Sequence, residues 1–385
     1  MKIVFISNFY NHHQKPVADE LYSIIGSDYY FIETQKISEA RLSMGWGRDE
    51  KPTYVLQNYL DQSAKENCQR IIDEADVVII GSAPRALVET RLKNKKLTFY
   101  YSERPYKIKP PFYKIIVHFL RNLRYVIRHR NLYILCSSAY TAADYKKVGT
   151  FINKAYKWGY FTEAKYYDDV DNLIKNKLQN SILWVSRFIP LKHPEHIIEV
   201  AKRLKNDGYS VKISMIGTGE LEGAIKELIK EENLEDYIEI YGSMKPQEVR
   251  EHMEKNELFL FTSDRNEGWG AVLNESMNSA CAVVANSAIG SVPFLIKHGE
   301  NGYMYKDGDV EELYRNVKML LDNSNERKRI SKNAYKMIIE EYNPQNAAKK
   351  FVQLCEIMLN GEYKPFPFKD GVCSKAEELK DNWYK

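Results

Sequence analysis

Short apolar runs, rich in β-branched and aromatic residues, recur along the chain with longer mixed segments between them. Read as strands, they are KIVFI (2–6), YYFIE (29–33), VVII (77–80), LTFYY (97–101) and LYILC (132–136) in the first half. A second series comprises ILWVS (182–186), VKISMI (211–216), YIEIY (237–241), LFLF (258–261), AVVA (282–285) and YMY (303–305). Most intervening segments have room for a crossover helix. Buried strands alternating with helices imply parallel sheets and right-handed βαβ units. The run TEAKYYDDVDNLIKNKLQN (162–180) is polar and holds no clear strand, so the chain is predicted to divide there. The expected architecture is α/β, with two doubly wound, Rossmann-like domains at 1–165 and 180–345. A tail, 346–385, is expected to pack back on the first domain as a helix, the Pro-containing KPFPFK and a second polar helix. Ligands of such sheets bind beyond the carboxyl ends of strands, which predicts a site in a cleft between facing domains.

The polar residues just after the second series of strands carry the chemistry. In ILWVSRFIPLKHPEH, Arg187 and Lys192 follow a strand end, with Pro194 suited to a first helical turn. A guanidinium fork and a point-charge ammonium suit a pyrophosphate, although for this piece alone a solvated basic loop is the simpler explanation. In ISMIGTGELEG, Gly217 and Gly219 lead a strand into a helix, but the third glycine, Gly223, falls one place late for a dinucleotide fingerprint. The following strand ends in tyrosine rather than an acid, so a nicotinamide site is excluded. Such a turn still lets backbone approach a phosphate or a base, and a plain strand–helix turn is the alternative. In RNEGWGAVLNES, Glu267 precedes a helix and Glu275 lies inside it. At ~1.5 Å rise per residue the two carboxylates stand about 10 Å apart, the span of a nucleotide sugar. One could accept hydrogen bonds from sugar hydroxyls and the other from ribose hydroxyls, with helix N–H groups near the diphosphate. Gly268 and Gly270 permit close approach or unusual dihedrals there. The small-residue loop Ala288–Val292 can present N–H groups to an anion.

In the first half, Asn8, Asn11, His12, His13, Gln14 and Lys15 form a dense polar loop after the first strand, able to hydrogen-bond a glycan. The Gly/Trp-containing loop ARLSMGWGRDE (40–50) could stack on a sugar ring or be a surface turn.

Composition narrows this picture. With 385 residues, 44% hydrophobic and 28% charged, the chain has room for two ordinary globular domains. A net charge of +4 gives no nucleic-acid signature. The segment Lys107–Arg130 holds seven Lys/Arg and no acid among apolar residues. It suits an anionic membrane surface, or a buried helix with a solvated basic face. Five scattered cysteines form no disulfide or zinc pattern, and no run approaches a membrane span. A reducing cytoplasm, with peripheral contact at the membrane face, is the expectation.

The ordered set VSRFxxxK, GTGE, EGWGAVLNES and AIGSVPFLIKHGENG closely resembles the retaining glycosyltransferases of family 4, which have the GT-B fold. Glu267 and Glu275 match that family's E-x7-E motif, and the resemblance is strong over 180–310. It implies that Arg187 and Lys192 hold the donor diphosphate, Glu275 the ribose, and Glu267 the donor sugar near its reacting face. Gly217 and Gly219, the backbone of Gly268, Trp269, Gly270 and Ala271, and Gly290 with Ser291 would complete the donor pocket. It further implies transfer from a UDP- or GDP-sugar with retention and no required metal, to a glycan or lipid-linked acceptor in bacterial surface polysaccharide synthesis. Many members carry a His-Asp type pair in the first domain. Here Ser102-Glu103-Arg104 follows LTFYY, so Glu103 is expected as a catalytic residue there, with Arg104, Asn11, His12 and His13 on the acceptor side. The alternatives are a nucleotide-sugar 2-epimerase, against which the E-x7-E with GWG argues, and a non-catalytic glycan- or nucleotide-binding protein.

Overall fold

The computed structural model describes residues 1–39, 51–107, 111–126, 129–361 and 366–384, and among these the side chains of 122–126 are not described. The loop at 40–50 therefore lies outside the described residues. The described chain divides into two compact units, Met1–Glu163 with Tyr342–Lys380, and Ala164–Glu341 with Asp381–Lys385.

The first unit is built on seven parallel strands in the order β3-β2-β1-β4-β5-β6-β7. They are β1 (Ile3–Ser7), β2 (Tyr29–Glu33), β3 (Val55–Gln57), β4 (Val77–Ile80), β5 (Leu97–Ser102), β6 (Leu132–Cys136) and β7 (Ala155–Lys157). The second has six, β10-β9-β8-β11-β12-β13. These are β8 (Leu178–Val185), β9 (Lys212–Ile216), β10 (Ile238–Gly242), β11 (Asn256–Phe261), β12 (Ala282–Asn286) and β13 (Tyr303–Tyr305). Both orders turn back on themselves, at β1/β4 and at β8/β11, the reversal that makes a ligand crevice at the carboxyl ends of doubly wound sheets.

Most of the apolar runs that announced the strands are buried on both faces, as in the centre of a parallel sheet, while the edge strand β10 alternates. Every residue of Ile3–Ser7 and Ala282–Asn286 is buried. Several helices begin where a short polar side chain accepts one of the first free N–H groups. Asp61 accepts from Ala64, Asp309 from Glu312 and Asn343 from Asn346. The Asp-Val-Asp run has such a local role. Asp169 caps the helix Val170–Lys175 by accepting from the Asn172 N–H, and Asp171 pairs with Lys332.

Three features depart from the sequence reading. Strands β3 and β7, three residues each, are too short to show a period. The segment 162–180 contains a helix and the start of β8, four residues before the apolar run. The second tail helix is absent from 366–384. There the chain turns at Cys373 and lies beside the edge strand β7, exchanging Lys157 N–H to Ser374 C=O (2.8 Å), Cys373 N–H to Lys157 C=O (2.8 Å) and Ala376 N–H to Ala155 C=O (3.0 Å). Covering an otherwise open sheet edge outweighs the weak helical propensity of a polar segment. The preceding helix, Pro344–Asn360, packs on Lys15–Ile25 and sets Phe351 against Phe99 at 5.2 Å.

Candidate functional site

In the second unit the polar residues gather at the β8/β11 reversal. Lys192, in the turn after β8, forms an ion pair with Glu267 from the loop after β11, and both side chains are largely shielded, at 12% and 16% exposure. Neighbouring groups fix the backbone beneath this pair. The Thr262 hydroxyl donates to the Lys192 carbonyl (2.6 Å) and accepts from the Trp184 indole N–H (2.9 Å). The Asp264 N–H donates to the Leu191 carbonyl (2.9 Å). Arg187 stands exposed at the start of the same turn.

Glu275 lies in the first turn of the helix Val272–Asn278, where the helix dipole favours an anion. Burial nevertheless pushes its carboxyl above the ordinary range, and Arg250 only partly opposes that. Arg250 donates to the Glu275 carbonyl (3.3 Å) and the Asn278 amide oxygen (3.0 Å), fixing the end of this helix. The loops after β11 and β12 are tied by the Gly290 N–H to the Glu267 carbonyl (3.4 Å). Beside it the Ser291 hydroxyl is enclosed with no hydrogen-bond partner among the described residues. Ala271 forms the N-cap of the Glu275 helix.

Several expected donor contacts have structural duties. The Trp269 ring is wholly buried, and its N–H donates to Asn274 (2.9 Å), so the ring anchors the loop whose backbone is expected to face the donor. Gly270 has φ +79°, and a Cβ there would stand 2.3 Å from the Phe261 ring. At Gly217, with φ +135°, a Cβ would meet the Ser186 carbonyl oxygen at 1.8 Å, and at Gly219 the Phe188 carbonyl oxygen at 2.3 Å. These two glycines let the loop after β9 lie against the loop after β8. Gly268 is buried within its loop.

In the first unit the β1/β4 reversal opens a cavity of about 390 Å³ lined by Asn8, Asn11, His13, Gln14, Gly81, Ser82, Tyr101, Glu103, Ser137 and Tyr160, among others. Glu103, just past β5, accepts from the Tyr160 hydroxyl (2.6 Å) and pairs with Lys107 at 2.9 Å. His13 stacks on Tyr160 at 5.5 Å, and burial together with its neighbour His12 lowers its pKa to about 3. It is a neutral imidazole at physiological pH. Asn11 is buried and its side-chain oxygen accepts the His13 N–H (2.9 Å), shaping the loop. His12 is exposed and stands outside the lining. Arg104 corrects an expectation. Its side chain is buried against Asp144 (3.2 Å) and lies over the Tyr140 ring (4.7 Å), inside the unit and away from any acceptor. An arginine two residues past a strand reads the same in sequence whether it faces solvent or core.

Sequence reasoning missed Thr262, Asp264, Tyr160 and Ser137. Thr262 and Asp264 follow β11 directly, a position that could have marked them, but Tyr160 and Ser137 carry no local pattern.

Each unit thus has a doubly wound sheet with polar groups at its reversal point, and the pair of sheets defines the GT-B fold. Comparison with known proteins agrees. The solved structure of Anabaena HepE in complex with UDP superposes with a TM-score of 0.68 at 16% identity, covering 92% of this chain and all of that one (100%). Residues 168–337 match the family model for glycosyl transferases group 1. The chain is similar to the amylovoran biosynthesis glycosyltransferase AmsK of Erwinia amylovora, 30% identical over 137 residues, which is 34% of this chain and 33% of that protein. It is also similar to the poly(ribitol-phosphate) alpha-N-acetylglucosaminyltransferase of Staphylococcus aureus (strain COL), 25% identical over 171 residues, 44% of this chain and 34% of that one. The chain spans about a third of the length of these two relatives.

Proposed function

We propose that the protein is a retaining glycosyltransferase that moves a sugar from a UDP- or GDP-sugar to a glycan or lipid-linked acceptor in bacterial surface polysaccharide synthesis. The observation that carries this is the Lys192–Glu267 pair at the β8/β11 reversal, with Glu275 one helix turn further on, inside the segment that matches group 1 glycosyltransferases. The UDP held by HepE, and the amylovoran and poly(ribitol-phosphate) named for the two relatives, support the donor and acceptor classes.

In this reading the donor diphosphate draws the Lys192 ammonium away from Glu267, joined by Arg187. Freed from its cation, Glu267 accepts hydrogen bonds from the donor sugar, while Glu275 accepts from the ribose. Cleavage of the anomeric carbon–phosphate oxygen bond leaves charge on the nucleoside diphosphate. The two cations and the N–H groups around Gly290 stabilise that charge, so this step requires no metal. The acceptor hydroxyl attacks on the same face and its proton passes to the leaving phosphate oxygen. The first unit's cavity offers Asn8, His13, Ser137 and Tyr160 to acceptor hydroxyls, with Glu103 to orient them.

The lipid-linked acceptor is supported by the helix Phe112–Val126, which exposes Phe112 (77%), Tyr113 (63%), Val117 (56%) and Leu120 (61%) beside Lys114 and Arg121. Apolar side chains among cations, with no acid between 104 and 143, suit the surface of an anionic bilayer. Among the described residues no helix is long and apolar enough to cross a membrane. The decisive experiment is a thermal-shift screen across UDP-, GDP- and ADP-sugars, followed by NMR of the anomeric product made with a membrane-extracted acceptor. A donor that stabilises the protein and yields an α-linked product from an α-donor supports the reading. Isomerisation of the donor without an acceptor, or inversion, overturns it. Salt-sensitive binding to phosphatidylglycerol liposomes, weakened in Arg121→Glu, tests the membrane part separately.

A further inference from the structure

The turn that carries Lys192 continues into a second cluster that the transfer chemistry does not use. His193, Glu195 and His196 each offer a ligand atom, and the three atoms lie within 4.8 Å of one another. We infer that these residues form a binding site for a transition-metal dication of the Zn²⁺ class, set beside the donor site.

Four observations carry it. His193 holds a left-handed backbone, φ 47°, which aims its ring across the helix start. Its Nδ1 lies 2.7 Å from Glu195 Oε1 and its Nε2 3.5 Å from Asp264 Oδ2, so the imidazole stands between two carboxylates. The His196 ring lies parallel to it, 4.7 Å away, and His196 Nδ1 is enclosed with no hydrogen-bond partner among the described residues. Asp307 adds a further negative charge acting on His196. A cation at a helix N-terminus is disfavoured by the dipole, and only nearby carboxylates can offset that. Glu195, Asp264 and Asp307 supply them, while the adjoining residue Lys192 is paired with Glu267.

Two imidazoles and a carboxylate are the donor set of zinc-like ions, whereas magnesium prefers an all-oxygen shell. A bound ion would displace the hydrogen bond between His193 and Glu195, release any proton held there, and clamp the turn one residue beyond Lys192. The inference rests on this turn's geometry alone and stands whether or not the transfer reaction is as proposed.

The test is titration of the chelator-stripped full chain with ZnCl₂ against a competing metallochromic indicator, with MgCl₂ as the control. One zinc per chain is expected, at micromolar affinity or tighter, with no response to magnesium. His193→Gly, which keeps the left-handed dihedral accessible, and His196→Ala should each weaken binding at least ~10-fold. A His12→Ala, His13→Ala double variant should leave it unchanged. Circular dichroism and urea melts confirm that each variant is folded. No saturable binding, or zinc affinity that survives loss of both His193 and His196, overturns the proposal. A saturable site lost only in the His12/His13 variant would do so as well. Zinc binding that leaves donor thermal shifts intact separates this result from the fate of the transferase reading.

Discussion

The two units share one topology but arm it differently. At its reversal point the second unit sets fixed charges, Lys192 against Glu267, on a backbone braced by Thr262 and Trp184. The first unit sets mostly neutral hydrogen-bonding groups around a cavity, with Glu103 as its lining acid. A diphosphate must be met by charge, and charge must be held in register. An array of hydroxyl groups can be met by amides, phenols and a neutral imidazole whose positions tolerate variation. The same fold thus places an exacting site and a permissive one on equivalent sheet edges.

The units also differ in how they hold a buried cation, and this comparison gives the largest expected effect. Arg91, fully buried, donates to the carbonyls of Ile72 (2.5 Å), Ala75 (3.1 Å) and Leu97 (2.7 Å) and to the Thr98 hydroxyl (3.0 Å). Burial lowers its pKa to about 10. In the second unit Lys177 closes the helix Pro246–Lys255 by donating to the carbonyls of Met253 (2.7 Å), Glu254 (3.1 Å) and Asn256 (2.9 Å). Arg91→Ala strands more acceptors, so it should cost about 3–5 kcal/mol of unfolding free energy in urea melts. Lys177→Met, which keeps most of the volume, should cost about 1–3 kcal/mol. An equal loss in both would mean that acceptor count does not govern these sites.

Next in size is the contrast between the two sites. Lys192→Ala should lower kcat by about 10²–10³-fold, the scale of losing one charge stabiliser in a transition state. Glu275→Ala should mainly raise the KM for donor. Changing the permissive pocket, with His13→Asn, should reduce kcat/KM for the acceptor by less than either. A His13 effect as large as that of Lys192 would erase the distinction between exacting and permissive sites.

Stability against pH sharpens it further, because the buried titratable groups have opposite signs. His13 is lowered to about 3 when folded, so the unfolded chain takes up its proton first. Stability should fall as pH drops from about 6.5 toward 3, by up to ~1.4 kcal/mol per unit at the steepest. Glu275 is raised by burial, so the folded state holds its proton more tightly. Its contribution is most favourable at low pH and declines as pH rises from about 4.3 through the raised value. Urea midpoints from pH 4 to 8 should therefore flatten on the acid side in His13→Asn. Glu275→Gln should gain over the parent protein only as the pH rises. The reverse pairing of slopes would refute both burial assignments.

This contrast also governs how much was legible in the sequence. Strands β2, β4 and β6 coincide with their apolar runs, because near-complete burial of both faces leaves an uninterrupted hydrophobic signal. The edge strands β3 and β7, and the tail segment beside β7, were not seen because VLQ and AYK are too short and too mixed to stand out, whereas the edge strands β10 and β13 lie in the aromatic and β-branched runs YIEIY and YMY. The charged residues of the second unit stood out by type and spacing. What could not be seen was direction. Arg104 turned into the core, Trp269 became an anchor, and Gly217 and Gly219 serve loop-on-loop packing. Side-chain aim is a tertiary property, and one-dimensional spacing does not contain it.

The smallest effect concerns a departure from the resemblance. After the Glu275 helix, where family members often have a small residue and glycine, the chain reads Ser279-Ala280-Cys281-Ala282. The structure gives Ala280 the left-handed conformation such a glycine would suit, φ 52°. Relieving that strain in Ala280→Gly is worth roughly 1 kcal/mol. Yet Ala280 is fully buried in a cluster with Ile174 and Tyr335. Losing its methyl group removes about 0.8 kcal/mol of burial. The two terms nearly cancel, so the urea midpoint should move by less than the equivalent of ~0.5 kcal/mol. A clear gain would show that strain dominates at the end of the exacting site's helix. A clear loss would show that packing of this helix against the rest of its unit is what holds Glu275 in place.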